Sequence, residues 1–160
     1  MNRLLRMITL GAAITTILPV GHTVAQSADP VNGTWELNLA KSSFDPGPAP
    51  KSQTRTYESD GQTVKHISNG VNAEGKPTQV AYTASYDGKD YPITGNPVAD
   101  TISLKRIDNV TVEATLKKDG KVVSTTTRVI SKDGKEILFR TNGTNARGAA
   151  VKNILVFDKR

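Results

Sequence analysis

"TQVAYTASYDGK", residues 78 to 89, decides how the rest of the chain is read. Val80, Tyr82, Ala84 and Tyr86 fall on one side of an extended segment; Gln79, Ala81, Thr83 and Ser85 fall on the other. A period of two with one wet face is the signature of a strand that buries one side only. The Asp-Gly pair that follows is favoured in tight hairpins, because both residues tolerate positive φ.

The same unit recurs outward in both directions. Turn signals stand at "DGQ" (60), "AEGK" (73), "DGK" (87), "GNP" (95), "DN" (108), "DGK" (119) and "DGK" (133), with "TNGT" (141) and "ARG" (146) as a last pair. Between them "NVTVEATLKK" sets Val110, Val112, Ala114 and Leu116 against Thr111, Glu113, Thr115 and Lys117. "GTWELNL" groups Trp35, Leu37 and Leu39, and "VKNILVFDK" groups Val151, Leu155 and Phe157. About ten strands are predicted, starting near residues 33, 52, 62, 78, 90, 100, 110, 121, 135 and 150. Almost no segment has helical periodicity.

So many one-sided strands hide their inner faces most simply by closing the sheet on itself, which also removes its edges. The expectation is an all-β, antiparallel up-and-down barrel of about 8–10 strands, with a two-sheet sandwich as its competitor. "DPGPAP", residues 45–50, has three prolines in six positions and reads as a rigid loop after the first strand, placed to cover part of a barrel mouth.

The first 27 residues have the three parts of a secretory signal: basic Arg3 and Arg6, an apolar run from Met7 to Val20, then small residues, with cleavage after Ala25 or Ser27. The run is too short and too broken by Gly11, Thr15, Thr16 and Pro19 to span a bilayer. Residues 28–160 then form one domain, expected to be periplasmic or secreted, monomeric and without stable membrane insertion. The signal holds two arginines and no acids, which leaves +4 of the chain's formal +6 on the mature protein. That excess is modest, and its lysines sit beside turns rather than interleaved with aromatics, so nucleic acid is not an expected partner. There is no cysteine, so stability has to come from packing and hydrogen bonds.

Gly33-Thr34-Trp35 on the first strand, followed by an antiparallel meander of this length, resembles the calycin barrels: lipocalins, fatty-acid-binding proteins and avidins. The ending "DGKEILFRTNGTNARGAAVKNILVFDKR" also resembles the closing hairpin of a fatty-acid-binding protein, and the whole mature chain looks like the small exported bacterial proteins called lipocalin-like. The resemblance implies that Trp35 plugs the barrel floor beneath Lys159 or Arg160 as a cation–π partner. It also sets out two departures. Aligned with the final-strand Arg-x-Tyr of fatty-acid-binding proteins, this chain has Leu155 and Phe157, neither of which donates a hydrogen bond. Biotin pockets use several tryptophans, and here there is one.

Catalytic constellations are scarce. His22 leaves with the signal, so His66 is the only mature histidine; it alternates with Val64 and reads as a packed residue rather than a general base. Sites built on several imidazole or thiolate ligands are excluded, and no cofactor is expected. Asp87, Asp90, Asp108, Asp119 and Asp133 are accounted for by turns. Asn32, Asn109 and Asn142 match the glycosylation pattern but also read as turns. Arginines on apolar faces carry more information. Arg106 shares a face with Ile102 and Leu104, and Arg128 with Val122 and Ile130; pointing inward, each needs an anionic partner or a ligand. Tyr82 and Tyr86 are their natural companions. The expected function is binding of a small apolar or amphipathic molecule in the interior, anchored by Arg106, Tyr82, Tyr86 and Arg128, without catalysis. The alternative is a protein-interaction or protease-inhibitor-like module acting through "FDPGPAP" and the rim turns.

Overall fold

The computed structural model describes residues 28–145 and 147–160. The signal reading over residues 1–27, His22 included, lies outside them. Ten strands run in chain order: β1 (Gly33–Leu37), β2 (Ser52–Ser59), β3 (Thr63–Val71), β4 (Pro77–Ser85), β5 (Asp87–Thr94), β6 (Thr101–Arg106), β7 (Thr111–Lys118), β8 (Lys121–Ile130), β9 (Glu136–Thr144) and β10 (Ala150–Lys159). Each pairs antiparallel with its neighbour, and β1 pairs with β10 as well as β2, so the sheet closes. This is the up-and-down barrel expected from the sequence, at the upper end of the predicted strand count.

The alternation expected for β4 and β7 sets the inner wall. Ala84 and Val112 are buried with Trp35, Tyr57, Val64, Ile102, Leu104, Ile130, Ile137, Phe139 and Phe157, and Val80, Tyr82, Ala114, Leu116 and Leu155 pack against them.

Four local expectations are corrected. Leu39 does not join the inner face of β1: the strand stops at Leu37, and residues 39–41 form a 3-10 turn capped by the Asn38 side chain, which leaves Leu39 43% exposed. Val122 does not share the inward face of Arg128. The β7–β8 register slips between Leu116 and Lys117, inserting a residue opposite, and Val122 ends 60% exposed. "DGK" at 87 is no hairpin loop, since β5 starts at Asp87 with only Tyr86 between it and the end of β4, and Gly88 at φ 77° sits in an irregularity of the β5–β6 ladder. "TNGT" at 141 lies inside β9 rather than in a turn. An added Cβ at Gly143 would collide with the Ser124 side chain, so glycine there allows β8 and β9 to meet.

The two ends of the barrel differ. At one, Val31 and Trp35 are fully buried, and the indole Nε1 donates to the Val31 carbonyl at 2.8 Å. At the other, the loop between the 3-10 turn and β2 is tied to β10 by the Ser43–Ile154 bridge and by the Lys152 N–H donating to the Asp45 carbonyl. That loop brings Pro48 and Pro50 over the mouth.

Candidate functional site

The interior holds a chamber of about 240 Å³. Its wall is built by inward positions of strands around the barrel, among them Gln53, Arg55 and Tyr57 of β2, His66 and Ser68 of β3, and Tyr82 of β4, facing Phe139 of β9. Above it, a vestibule of about 580 Å³ opens at the mouth between Pro48, Pro50, Pro97, Val98 and Val151. Leu116 and Thr141 line both spaces, so chamber and vestibule meet. The lower space mixes polar and apolar side chains at its wall, while the proline-rich one above is mostly apolar.

Arg55 dominates the chamber. Its guanidinium lies against both the Phe139 and Phe157 rings, 4.3 and 4.5 Å from their centroids, and approaches Gln53 Oε1 at 3.5 Å. Its Nε is buried without a partner. Gln53 in turn donates to Ser68 Oγ at 3.0 Å. Deeper, Arg128 is only 5% exposed, lies 5.6 Å from the Tyr57 ring and 5.9 Å from the Tyr86 ring, and also has a buried, unpartnered Nε. Among the described residues no carboxylate comes within 4.0 Å of either guanidinium. Stacking on aromatic faces returns about 0.5–2 kcal/mol per contact. An uncompensated buried ion costs several kcal/mol, so the interior carries an excess positive field.

His66 is held between Tyr57 and Tyr82, with ring centroids 4.5 and 4.7 Å away. Burial, followed by the charges of Arg55 and Arg128, lowers its pKa to about 3. It is therefore neutral at physiological pH, with an unpartnered buried Nδ1. Burial also pushes the Tyr82 phenol well above its ordinary value. Both groups face the chamber as neutral dipoles.

The predicted anchors part company here. Tyr82 lines the chamber. Arg128 lies one ring below it, behind Tyr57. Arg106 is away from it, at the floor: its Nη2 meets Asp29 Oδ2 at 2.6 Å, and the guanidinium stacks on Tyr86 at 4.0 Å. Burial alone would raise the Asp29 carboxyl, but hydrogen bonds from Arg106, the Ser59 hydroxyl and the Val31 N–H hold it below its ordinary value. An internal acid therefore satisfies Arg106. Tyr86, sandwiched between Arg106 and Arg128, belongs to the same floor layer. The floor also carries Lys159, whose Nζ is 4.9 Å from the Trp35 ring, whereas Arg160 turns outward to Glu36 at 2.7 Å.

Arg55 was not singled out from the sequence. β2 reads "SQTRTYES", polar on both faces, so no hydrophobic alternation marks which side is inner. The available signal was parity: once Tyr57 is placed inward, Arg55 and Gln53 follow on the same face.

No family model matches the chain, and no curated protein matches it. Among solved structures it is similar to the zebrafish ileal bile acid-binding protein complexed with cholic acid, at 12% identity and a TM-score of 0.48, covering 82% of this chain and 99% of that one.

Proposed function

We propose that the mature protein is an exported, monomeric binding barrel that takes one small amphipathic molecule, polar group inward, and performs no chemistry on it. The observation that carries this reading is the stacked arrangement of two joined spaces. A chamber with an unpaired arginine and several neutral dipoles lies beneath an apolar vestibule. The chamber alone is slightly below the ~300 Å³ at which ligand sites begin, but it opens into the larger vestibule, and a few convergent polar groups suffice for orientation. His66 supports binding over catalysis: a histidine neutral down to about pH 3 and clamped between two rings is poorly suited to shuttle protons near neutrality.

Native mass spectrometry of the protein released gently from producing cells tests this reading. A fraction carrying one bound molecule, lost in Arg55→Gln, is the expected result. Protein free of cargo that also fails to bind any added amphiphile would overturn it.

A further inference from the structure

We infer that the cargo is a phosphate-bearing amphiphile, because half-buried Arg55 in the chamber and buried Arg128 behind Tyr57 bring two positive charges to one small space, with no acid within 4.0 Å of either among the described residues, beneath a vestibule sized for an apolar tail. This deepens the proposed function and rests on it.

The first support is charge. The ionisable groups at the chamber are Arg55 and Tyr57 on β2, His66 on β3 and Tyr82 on β4, with Arg128 on β8 behind Tyr57; the lining residues of β5, β6, β7 and β9 carry none. His66 is neutral, and Asp29 is committed to Arg106 at the floor. Among the described residues two positive charges are therefore left without an anionic partner. A carboxylate or a sulfate ester brings one negative charge and would leave half of that excess. A phosphate monoester brings about 1.5 to 2 near neutral pH.

The second support is the supply of hydrogen-bonding groups. Unsatisfied buried nitrogens on Arg55 and His66 stand at the chamber wall, with that of Arg128 behind Tyr57, and Thr126 and Thr141 add a hydroxyl pair 2.8 Å apart on the opposite wall. A phosphate head offers three strong acceptor oxygens in a tetrahedral spread, and the guanidinium is the side chain best shaped to meet them. The third is size. About 240 Å³ accommodates a head group and the first methylenes of a chain, so a longer tail has to continue into the vestibule along Pro48, Pro50 and Val98.

Calorimetric titration of the full mature protein with dodecyl phosphate, dodecyl sulfate, dodecanoate, dodecanol and inorganic phosphate, each below its aggregation threshold, tests the assignment. At pH 7.5 dodecyl phosphate should bind at least about tenfold tighter than the sulfate or the carboxylate, equivalent to about 1.4 kcal/mol. Inorganic phosphate should bind at least about a hundredfold more weakly. Arg55→Gln and Arg128→Gln, checked by circular dichroism, should each remove most of the preference.

Should a variant not fold, the unaltered protein still decides. Lowering the pH from 7.5 to 5 protonates the phosphate monoester, whose second pKa is about 6, and should weaken dodecyl phosphate while leaving dodecyl sulfate unchanged. Equal affinity for phosphate and sulfate, or no loss at pH 5, would overturn the phosphate assignment and leave the amphiphile reading standing. Inorganic phosphate binding as tightly as dodecyl phosphate would remove the tail. Binding by none of the five probes would overturn the proposed function itself.

Discussion

At the scale of single residues, the interior is a set of polar groups, some satisfied and some not. His66 is neutral when folded and titrates with an ordinary pKa of 6.5 when unfolded, so between pH 6.5 and about 3 the unfolded chain binds the extra proton. Stability therefore rises with pH across that window, by up to about 1.4 kcal/mol per unit, and is lost on acidification. Asp29 also loses stability on acidification, but only as the pH nears and falls below its ordinary 3.8, so urea midpoints at pH 7 and 5 isolate the histidine. His66→Phe should flatten the difference between those midpoints; an unchanged slope would place the acid sensitivity elsewhere. At the floor, Asp29→Ala strands the part-exposed Arg106 against Tyr86 and should cost about 1–3 kcal/mol, as leaving a part-buried polar group unsatisfied does. The double variant Asp29→Ala/Arg106→Met should recover part of it. A single-variant loss below about 1 kcal/mol would mean that water already reaches the pair.

At the scale of elements, Gly143 is the position where β8 and β9 approach most demandingly. Gly143→Ala drives a Cβ into Ser124 and should cost about 1–3 kcal/mol, measured by thermal unfolding, with the loss reading mainly as a local opening of the β8–β9 seam in hydrogen exchange. An alanine variant as stable as the parent would show that the seam relaxes freely. Strand placement was legible because Asp-Gly and Asn-containing turns punctuate one-sided alternation, and every predicted strand start lies within a few residues of the observed one. The exceptions are places where glycine has more than one use. Gly88 serves an irregularity rather than a hairpin, and Gly143 serves close packing rather than a turn. The candidate site was harder to read, for a specific reason. Arg106 stood out because its neighbours are apolar, yet its partner Asp29 is 77 positions away and invisible to local pattern. Arg55 is the arginine that reaches the chamber, and it hides in a strand whose two faces are equally polar.

At the scale of the whole molecule, the barrel is a graded container. Trp35, Lys159 and the Asp29–Arg106 pair occupy the floor, an electropositive chamber sits at mid-height, and an apolar vestibule under a proline loop forms the mouth. On the proposed reading that gradient would give an amphipathic guest one favourable orientation, which sets interior binding apart from recognition through the rim. The distinction is measurable with methyl-labelled protein titrated with dodecyl phosphate and followed by NMR. Ile93, Ile102 and Leu116, which line the chamber, should shift together and saturate at one equivalent, while Ile107 and Ile154, exposed on the outside, stay in place. Shifts confined to the exterior methyls, or an interior that does not respond while the mouth turns do, would contradict a guest inside the barrel.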